Sequence, residues 1–479
     1  MLRLYPQPPE GGFCSAGGLA PFRGLGVTQS HIKTTRMDFL GHIKKHFGSG
    51  NYEGDQYGGS TASNGDGLPD GSPSNFMFAT GIECSYPTIG HGKIRRDQLR
   101  ECGHYERYKE DIGLVKELGL KVLRYGLPYY SIHKGPGKYD WEFADLVMNE
   151  IKKQGITPIL DLLHFGLPDW IGNFQNPELP IHFAEYCAAV ADRYPWVRYY
   201  TPVNEIYVTA RHSAKDGLWN EQLKTDKAFV TALKHCVAAS IMGTQQIAKR
   251  RPDVVIVQSE SAEFIHEIAA QPTPEIALQN ELRFLSLDLL YAFPPSATVG
   301  LYLLDNGMTR KEYDWFMVGQ PPGYQVMGND YYGRNEKIKL PGGELMSSMD
   351  VLGWYQITKQ YYLRYHKPVM HTETNVFEAD LAPAWLYKQW LNVMQMRRDG
   401  VPVMGFTWYS LIDQIDWDTG LSEQNNRVNA CGLYDLDRKP RPVAEAYKMI
   451  LQEFGQITIV PYAQMLEITD QPAKLKAEF

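Results

Sequence analysis

Basic charge is what this chain has little of: 48 Lys and Arg stand against 55 Asp and Glu, a formal net charge of −7. Nucleic acids and anionic membrane surfaces recruit proteins through cationic patches, so neither is expected as a partner. Cysteine is scarce too. The six present, Cys14, Cys84, Cys102, Cys187, Cys236 and Cys431, show no close pairing, so neither a zinc spacing nor a secreted disulfide framework is signalled. No stretch is apolar enough to span a bilayer, and the opening M-L-R-L-Y-P-Q-P-P-E-G-G lacks the unbroken apolar segment of a signal peptide. A soluble, cytoplasmic protein is the expectation.

What is present is the composition of a globular chain: 479 residues, 43% hydrophobic and 22% charged, enough for a large core. One α/β barrel with loop insertions absorbs that length, so a second domain is not required. Residues 1–75 stand apart, rich in Gly, Ser, Asn and Pro and ending in G-G-S-T-A-S-N-G-D-G-L-P-D-G-S-P-S-N, which is linker chemistry. Within them Met37 opens M-D-F-L-G-H-I-K-K-H-F, which is read either as a short helix or as the true start of the protein. Residues 76–479 are expected to form one domain, because short β-rich apolar runs alternate there with longer helical patterns. The runs are 76–82, 121–126, 157–163, 197–203, 254–259, 325–329, 368–372 and 403–408. Eight runs predict a (β/α)8 barrel, with a doubly wound sheet as the alternative. Helices are predicted over 141–154, on the spacing of Phe143, Leu146, Val147 and Ile151, and over 184–192. A last apolar run, 457–462, has no assigned place.

In such barrels the reactive groups stand at the carboxyl ends of the strands. The fourth run, V-R-Y-Y-T-P-V-N-E, ends on Asn204 and Glu205, and the seventh, K-P-V-M-H-T-E, ends on Glu373. A lone glutamate there is more often an ion-pair or capping residue than a catalyst. Two at strands four and seven form the pair that glycosidic cleavage needs, one acid to protonate the leaving oxygen and one carboxylate to attack or activate water at the anomeric carbon.

From these residues outward the chain resembles the glycoside hydrolases of family 1, the β-glucosidase family of the retaining barrel clan. Thr201, Pro202, Val203, Asn204 and Glu205 resemble its T-x-N-E-P motif, with Ile206 in place of proline; His371 to Asn375 resemble I-T-E-N-G more loosely. L-R-Y-G-L-P-Y-Y-S-I resembles R-F-S-I-S-W and implies that Arg124 lies beside the nucleophile. L-L-H-F-G-L-P-D-W resembles L-x-H-W-D-L-P-x-W and makes His164 a sugar-binding histidine. G-N-D-Y-Y resembles G-x-N-Y-Y and gives Tyr332 as the hydroxyl on the nucleophile. W-Y-S-L-I-D-Q-I-D-W resembles W-S-L-x-D-N-x-E-W with one inserted residue, making Trp408 and Trp417 stacking walls and Asp416 a reader of the glycone. Each has a plainer reading as core packing, a salt bridge or a solvated face; their shared order along the chain carries the resemblance.

The implied mechanism is double displacement on a carbohydrate, with Glu373 as nucleophile, Glu205 as acid/base and Asn204 on the 2-hydroxyl, and with no metal or organic cofactor. A transglycosylase and a catalytically silent sugar-binding barrel remain alternatives. Departures from the family collect at the glycone: Pro87 where glutamine is usual, Asp416 where glutamate is, Asp330 for the asparagine near Tyr332, and the inserted Tyr409. They imply weak activity on plain β-glucosides. Deleting residues 1–36, which lack apolar periodicity, is expected to leave activity and melting temperature close to those of the full chain, as calorimetry of the shortened protein would measure.

Overall fold

The computed structural model describes residues 76–457 and 459, except 268–271, 320 and 349–350. The expectation for residues 1–75 lies outside the described residues. Eight parallel strands close on themselves: β1 (Met77–Ile82), β2 (Val122–Gly126), β3 (Thr157–Asp161), β4 (Tyr199–Thr201), β5 (Val255–Ser261), β6 (Tyr324–Asp330), β7 (Val369–Glu373) and β8 (Val403–Tyr409). Each pairs with its chain neighbours, and β8 returns to pair with β1, so no edge is left unpaired. Helices link the strands, among them α1 (His104–Glu117), α2 (Glu142–Gln154), α3 (Leu179–Arg193), α4 (Ile206–Ala214), α5 (Asp226–Arg250), α6 (Gly353–Tyr365), α7 (Ala382–Arg398) and α8 (Pro442–Phe454). The barrel, not the doubly wound sheet, is the fold.

The strands are apolar on both faces because both are covered. Outward residues join the large core against the helices. A separate interior layer is formed by Met77, Ala79, Val122, Ile159, Tyr199, Val255, Val257, Val326, Met370 and Met404. Side chains alternate along a strand, so the residues two and four places on share the interior face. There the layer turns polar: Val122 is followed by Arg124, Ile159 by Asp161, Val257 by Ser259 and Val326, after Gly328, by Asp330. Strand periodicity thus sets a charged floor on an apolar base. Ile459 joins the apolar layer, and the Ile457 carbonyl accepts the Phe76 N–H at 3.0 Å, which places the start of the last apolar run against the first strand.

Helix α3 runs from Leu179 to Arg193, longer than its predicted span, with Pro180 in the first turn where a missing N–H costs nothing. Helix α2 buries Ala144, Val147, Met148 and Ile151, whereas Leu146 is 49% exposed. The buried stripe is rotated from the predicted one, taking in Ala144 and Met148 and leaving out Leu146. Met370→Ala should therefore cost about 2–5 kcal/mol, and Leu146→Ala less than about 0.5 kcal/mol, as denaturant unfolding would measure.

Candidate active site

Arg124 organises the polar floor. It is 1% exposed, and a buried guanidinium is tolerable only when its charge and donors are met. One terminal nitrogen donates to Glu373 Oε1, and the other to Asp161 Oδ2 at 2.9 Å and Asn204 Oδ1 at 2.5 Å. The second oxygen of Glu373 accepts the Tyr332 hydroxyl at 2.6 Å. Residues from β2, the ends of β3 and β7, and the turns after β4 and β6 thus converge on the Arg124–Glu373 ion pair.

His164 joins through Asp161, whose Oδ2 lies 2.8 Å from Nδ1, and through Asn204, whose amide nitrogen lies 3.1 Å from Nε2. Since Asn204 Oδ1 already accepts from Arg124, its amide must donate to Nε2, which assigns the histidine proton to Nδ1. Cys84 Sγ, an Asp161 oxygen and His164 Nδ1 lie within 4.8 Å of one another. The Asp161 carboxylate and the Cys84 sulfur both meet Nδ1 and so orient the His164 ring.

Glu205 caps α4 in a left-handed conformation, φ 37°, a costly geometry for a residue with a Cβ. Two supports hold it. Its N–H donates to the Ser259 carbonyl at 2.9 Å, and the next two N–H groups, of Ile206 and Tyr207, donate to the Glu260 carboxyl at 3.0 and 3.3 Å. The Glu205 side chain makes no capping bond to its own helix. Burial, with the negative charges of Asp330 and Glu373 added, pushes its pKa well above the usual carboxylate range. Glu260 is pushed up to about 8, chiefly by burial. Glu83, at the end of β1, is raised by burial as well, and is held by Ser85 N–H at 2.8 Å and the Gln414 amide at 3.1 Å.

The structure brings Glu205, Glu373, Arg124, His164, Asn204 and Tyr332 together, and holds Trp408 and Asp416 away from them. Trp408 is not a wall of the site: it is fully buried in the outer core and its indole donates to the Cys431 carbonyl at 3.0 Å. Its neighbour Tyr409 takes the place. The Tyr409 ring lies parallel to His164, at 6.4 Å and 5°, and 5.4 Å from the Arg124 guanidinium. Read without an insertion, Tyr409 stands at the first tryptophan of the resembled motif. Gly81 makes this possible, because a Cβ there would collide with the Tyr409 ring.

Asp416 is not free to read a sugar. Its oxygens accept Arg427 N–H at 2.7 Å, Asn425 N–H at 2.9 Å, Asn426 N–H at 3.0 Å and Arg96 Nη2 at 2.9 Å, with both side chains of the ion pair fully buried. It is the clip of the loop 416–427. Trp417 is half-buried against Phe165 and Trp219, at 6.0 and 6.3 Å, and its buried indole N–H has no partner among the described residues. Asp161, Ser259, Glu260 and Glu83 were missed in the sequence, although each stands at a strand end, the criterion that found Glu205.

Cavities of about 280 Å³ beside Pro128 and Phe143 and about 350 Å³ beside His91 and Asn173 lie elsewhere. Carboxyl chemistry identifies the site, not volume: Glu205 and Glu373 are 8% and 4% exposed.

The model of Glycosyl hydrolase family 1 matches residues 88–302. An aryl-phospho-beta-D-glucosidase of Bacillus subtilis, BglA, is 28% identical over 427 residues, 74% of this chain and 86% of its own length. Beta-glucosidase 42 of Arabidopsis thaliana is 23% identical over 73% of this chain and 84% of its own. Among solved structures, a family 1 β-glucosidase from Thermotoga maritima superposes with a TM-score of 0.67 at 18% identity, over 80% of this chain and 99% of that one. That likeness establishes the fold.

Asp416 has a folded-state pKa held below the usual value: burial opposes this, but the N–H groups of Arg427, Asn426 and Asn425 and the charge of Arg96 outweigh it. A depressed carboxylate stabilises above its unfolded pKa, and that contribution fades as pH falls through the folded value. Asp416→Ala should cost about 3 kcal/mol at neutral pH, the low end for a broken buried ion pair because Glu101 still holds Arg96. The difference from the parent should shrink toward pH 3; calorimetry across pH would measure both.

Proposed function

We propose that this chain, a divergent relative of the family 1 glycosyl hydrolases, is a retaining β-glycosidase in which Glu373 is the nucleophile and Glu205 the acid/base. The observation that carries the reading is the contrast between the two carboxyls. Glu373 is fastened by the Arg124 cation and the Tyr332 hydroxyl, one on each oxygen, which orient its carboxyl for attack. Glu205 is buried beside Asp330 and Glu373, which favours the proton an acid must carry. One carboxyl gripped by a cation and a hydroxyl, and one buried and raised in pKa, assign the first to attack and the second to proton transfer.

In the first step Glu205 gives its proton to the departing oxygen as Glu373 bonds to the anomeric carbon. In the second, Glu205 takes a proton from water, which displaces Glu373 and releases the sugar. Asn204, tied to Arg124 and His164, is placed to hold the 2-hydroxyl, a contact that strengthens as positive charge grows on the ring. Glycone preference is proposed to lie outside plain β-glucosides. Its support is Asp416, whose acceptors are spent on its own loop, together with Pro87, which offers no side-chain polar atom. A site built to bond a hydroxyl discriminates by about 10⁴–10⁵ against its absence, so moving such partners alters sugar choice more than bond cleavage.

The test is a panel of aryl β-glycosides, with NMR of the first anomer released. Retained configuration is expected, and inversion would overturn the mechanism. Glu373→Ala should abolish turnover, whereas Glu205→Ala should still cleave aryl glycosides with good leaving groups and, with azide added, yield a β-glycosyl azide; the reverse pattern would exchange the two roles.

A further inference from the structure

Cys84, Asp161 and His164 bring a sulfur, a carboxylate and an imidazole to one point beside Arg124, and they are 2%, 1% and 2% exposed. Cys84 Sγ lies 3.4 Å from His164 Nδ1, Asp161 Oδ2 lies 2.8 Å from the same nitrogen, and the three residues offer donor atoms that all fall within 4.8 Å of one another. A zinc ion holds such ligands at about 2.0–2.3 Å, which spans separations of this size. The fold makes room for the sulfur: Gly126 ends β2 beside it, and a Cβ there would overlap Sγ. Hydrogen bonds alone leave part of the set unused. Nδ1 has one proton, which Asp161 takes, so the Cys84 thiol finds no lone pair there to bond. Asp161 Oδ1 is buried with no hydrogen-bond partner among the described residues, while Oδ2 keeps Arg124 at 2.9 Å. A carboxylate binds a guanidinium through one oxygen and an ion through the other, so Arg124 need not leave Asp161.

We propose that these three residues form an inhibitory site for a borderline-soft divalent ion of the zinc type, and that filling it turns Asn204 out of its working orientation. The donor set selects the class: sulfur and nitrogen with one carboxylate oxygen suit zinc or cobalt, whereas magnesium and calcium take oxygen ligands. Binding releases the thiol proton to solvent, and the thiolate and the Asp161 carboxylate then set two negative charges against the ion. The imidazole proton moves from Nδ1 to Nε2, because a nitrogen that holds a metal gives it the lone pair. Nε2 then donates where it accepted. Its partner is the Asn204 amide, whose nitrogen lies 3.1 Å away and whose oxygen accepts from Arg124 at 2.5 Å. An Nε2–H needs that oxygen, so the amide must reverse, which presents its NH2 group to the guanidinium and breaks the Arg124 contact. A proton on Nδ1 and an ion on Nδ1 thus demand opposite settings of one amide. The effect on turnover rests on the proposed role of Asn204 at the 2-hydroxyl; the binding itself does not.

The test titrates the full chain, stripped with EDTA, with zinc chloride and with cobalt chloride. One ion should bind per chain, and cobalt should give the near-ultraviolet band of a metal-bound thiolate. Cys84→Ser should lose that band and weaken zinc by more than about 100-fold, beyond the cost of a change behind the ligands. Cys14→Ser, outside the described residues, should keep both. No stoichiometric ion, no thiolate band in the parent, or a band that survives in Cys84→Ser overturns the site, and the parent spectrum decides even where a Cys84 variant fails to fold. On aryl glycosides, saturating zinc should slow the parent about tenfold or more, the cost of a buried donor left unmatched, and EDTA should restore the rate. Cys84→Ser, set against its own metal-free rate, should be slowed much less. A 2-deoxyglycoside, with no hydroxyl for Asn204 to hold, should be inhibited less than its 2-hydroxy counterpart, and equal inhibition overturns the route through Asn204. If no glycoside is cleaved, the functional reading fails, while the cobalt spectrum still decides the site.

Discussion

The placement of one buried cation governs this site. Arg124 has no access to solvent, so the fold must supply its counter-charges and acceptors, and it draws them from distant parts of the chain: Asp161, Asn204 and Glu373. Meeting that demand fixes more than the ion pairs. Asp161, held by the guanidinium, orients His164; Asn204, held by it, orients the same ring from the other nitrogen. Tyr409 lies against both the guanidinium and the imidazole. A desolvated charge is expensive unless its partners are in place, so the demands of Arg124 also organise groups that never touch it.

Glu205 answers to a different constraint. It has no cation of its own, and its strained backbone is carried by Ser259 and Glu260. The two halves of the proposed chemistry are thus supported separately: a web of ionic contacts around Glu373, and backbone hydrogen bonds behind Glu205. This division suits a reaction in which one carboxyl must remain an anion before attack while the other exchanges its proton twice.

The parts of this arrangement that were legible in the sequence are those that depend on strand periodicity. Each predicted run overlaps an observed strand, because strands covered on both faces read as continuous apolar runs, and Glu205 and Glu373 follow as the polar residues that end two of them. What was not legible depends on register or on contacts distant in sequence. The β7–β8 ladder shifts register between Val369 and His371, and a slip of one residue exchanges the two faces of a strand: Met404 lies in the interior layer, Phe406 and Trp408 in the outer core, and Tyr409 meets the site. Asp416 looked like a sugar reader because three backbone N–H groups converging on one carboxylate from a returning loop leave no trace in the local sequence. Leu146 fitted the helical spacing, but a spacing admits more than one stripe, and the buried one runs through Ala144, Val147, Met148 and Ile151.

The route by which the chain closes its barrel bears on how the protein is made. Arg124 is synthesised 249 residues before Glu373, and β1 receives one of its two neighbours only when β8 has emerged. A growing chain on the ribosome therefore carries the cation of the site, and the histidine aligned by it, long before the carboxylate that completes the set exists. Until then Asp161 is the carboxylate of the set that meets the charge, and the ion-pair set around Arg124 is completed only when the seventh strand joins the barrel.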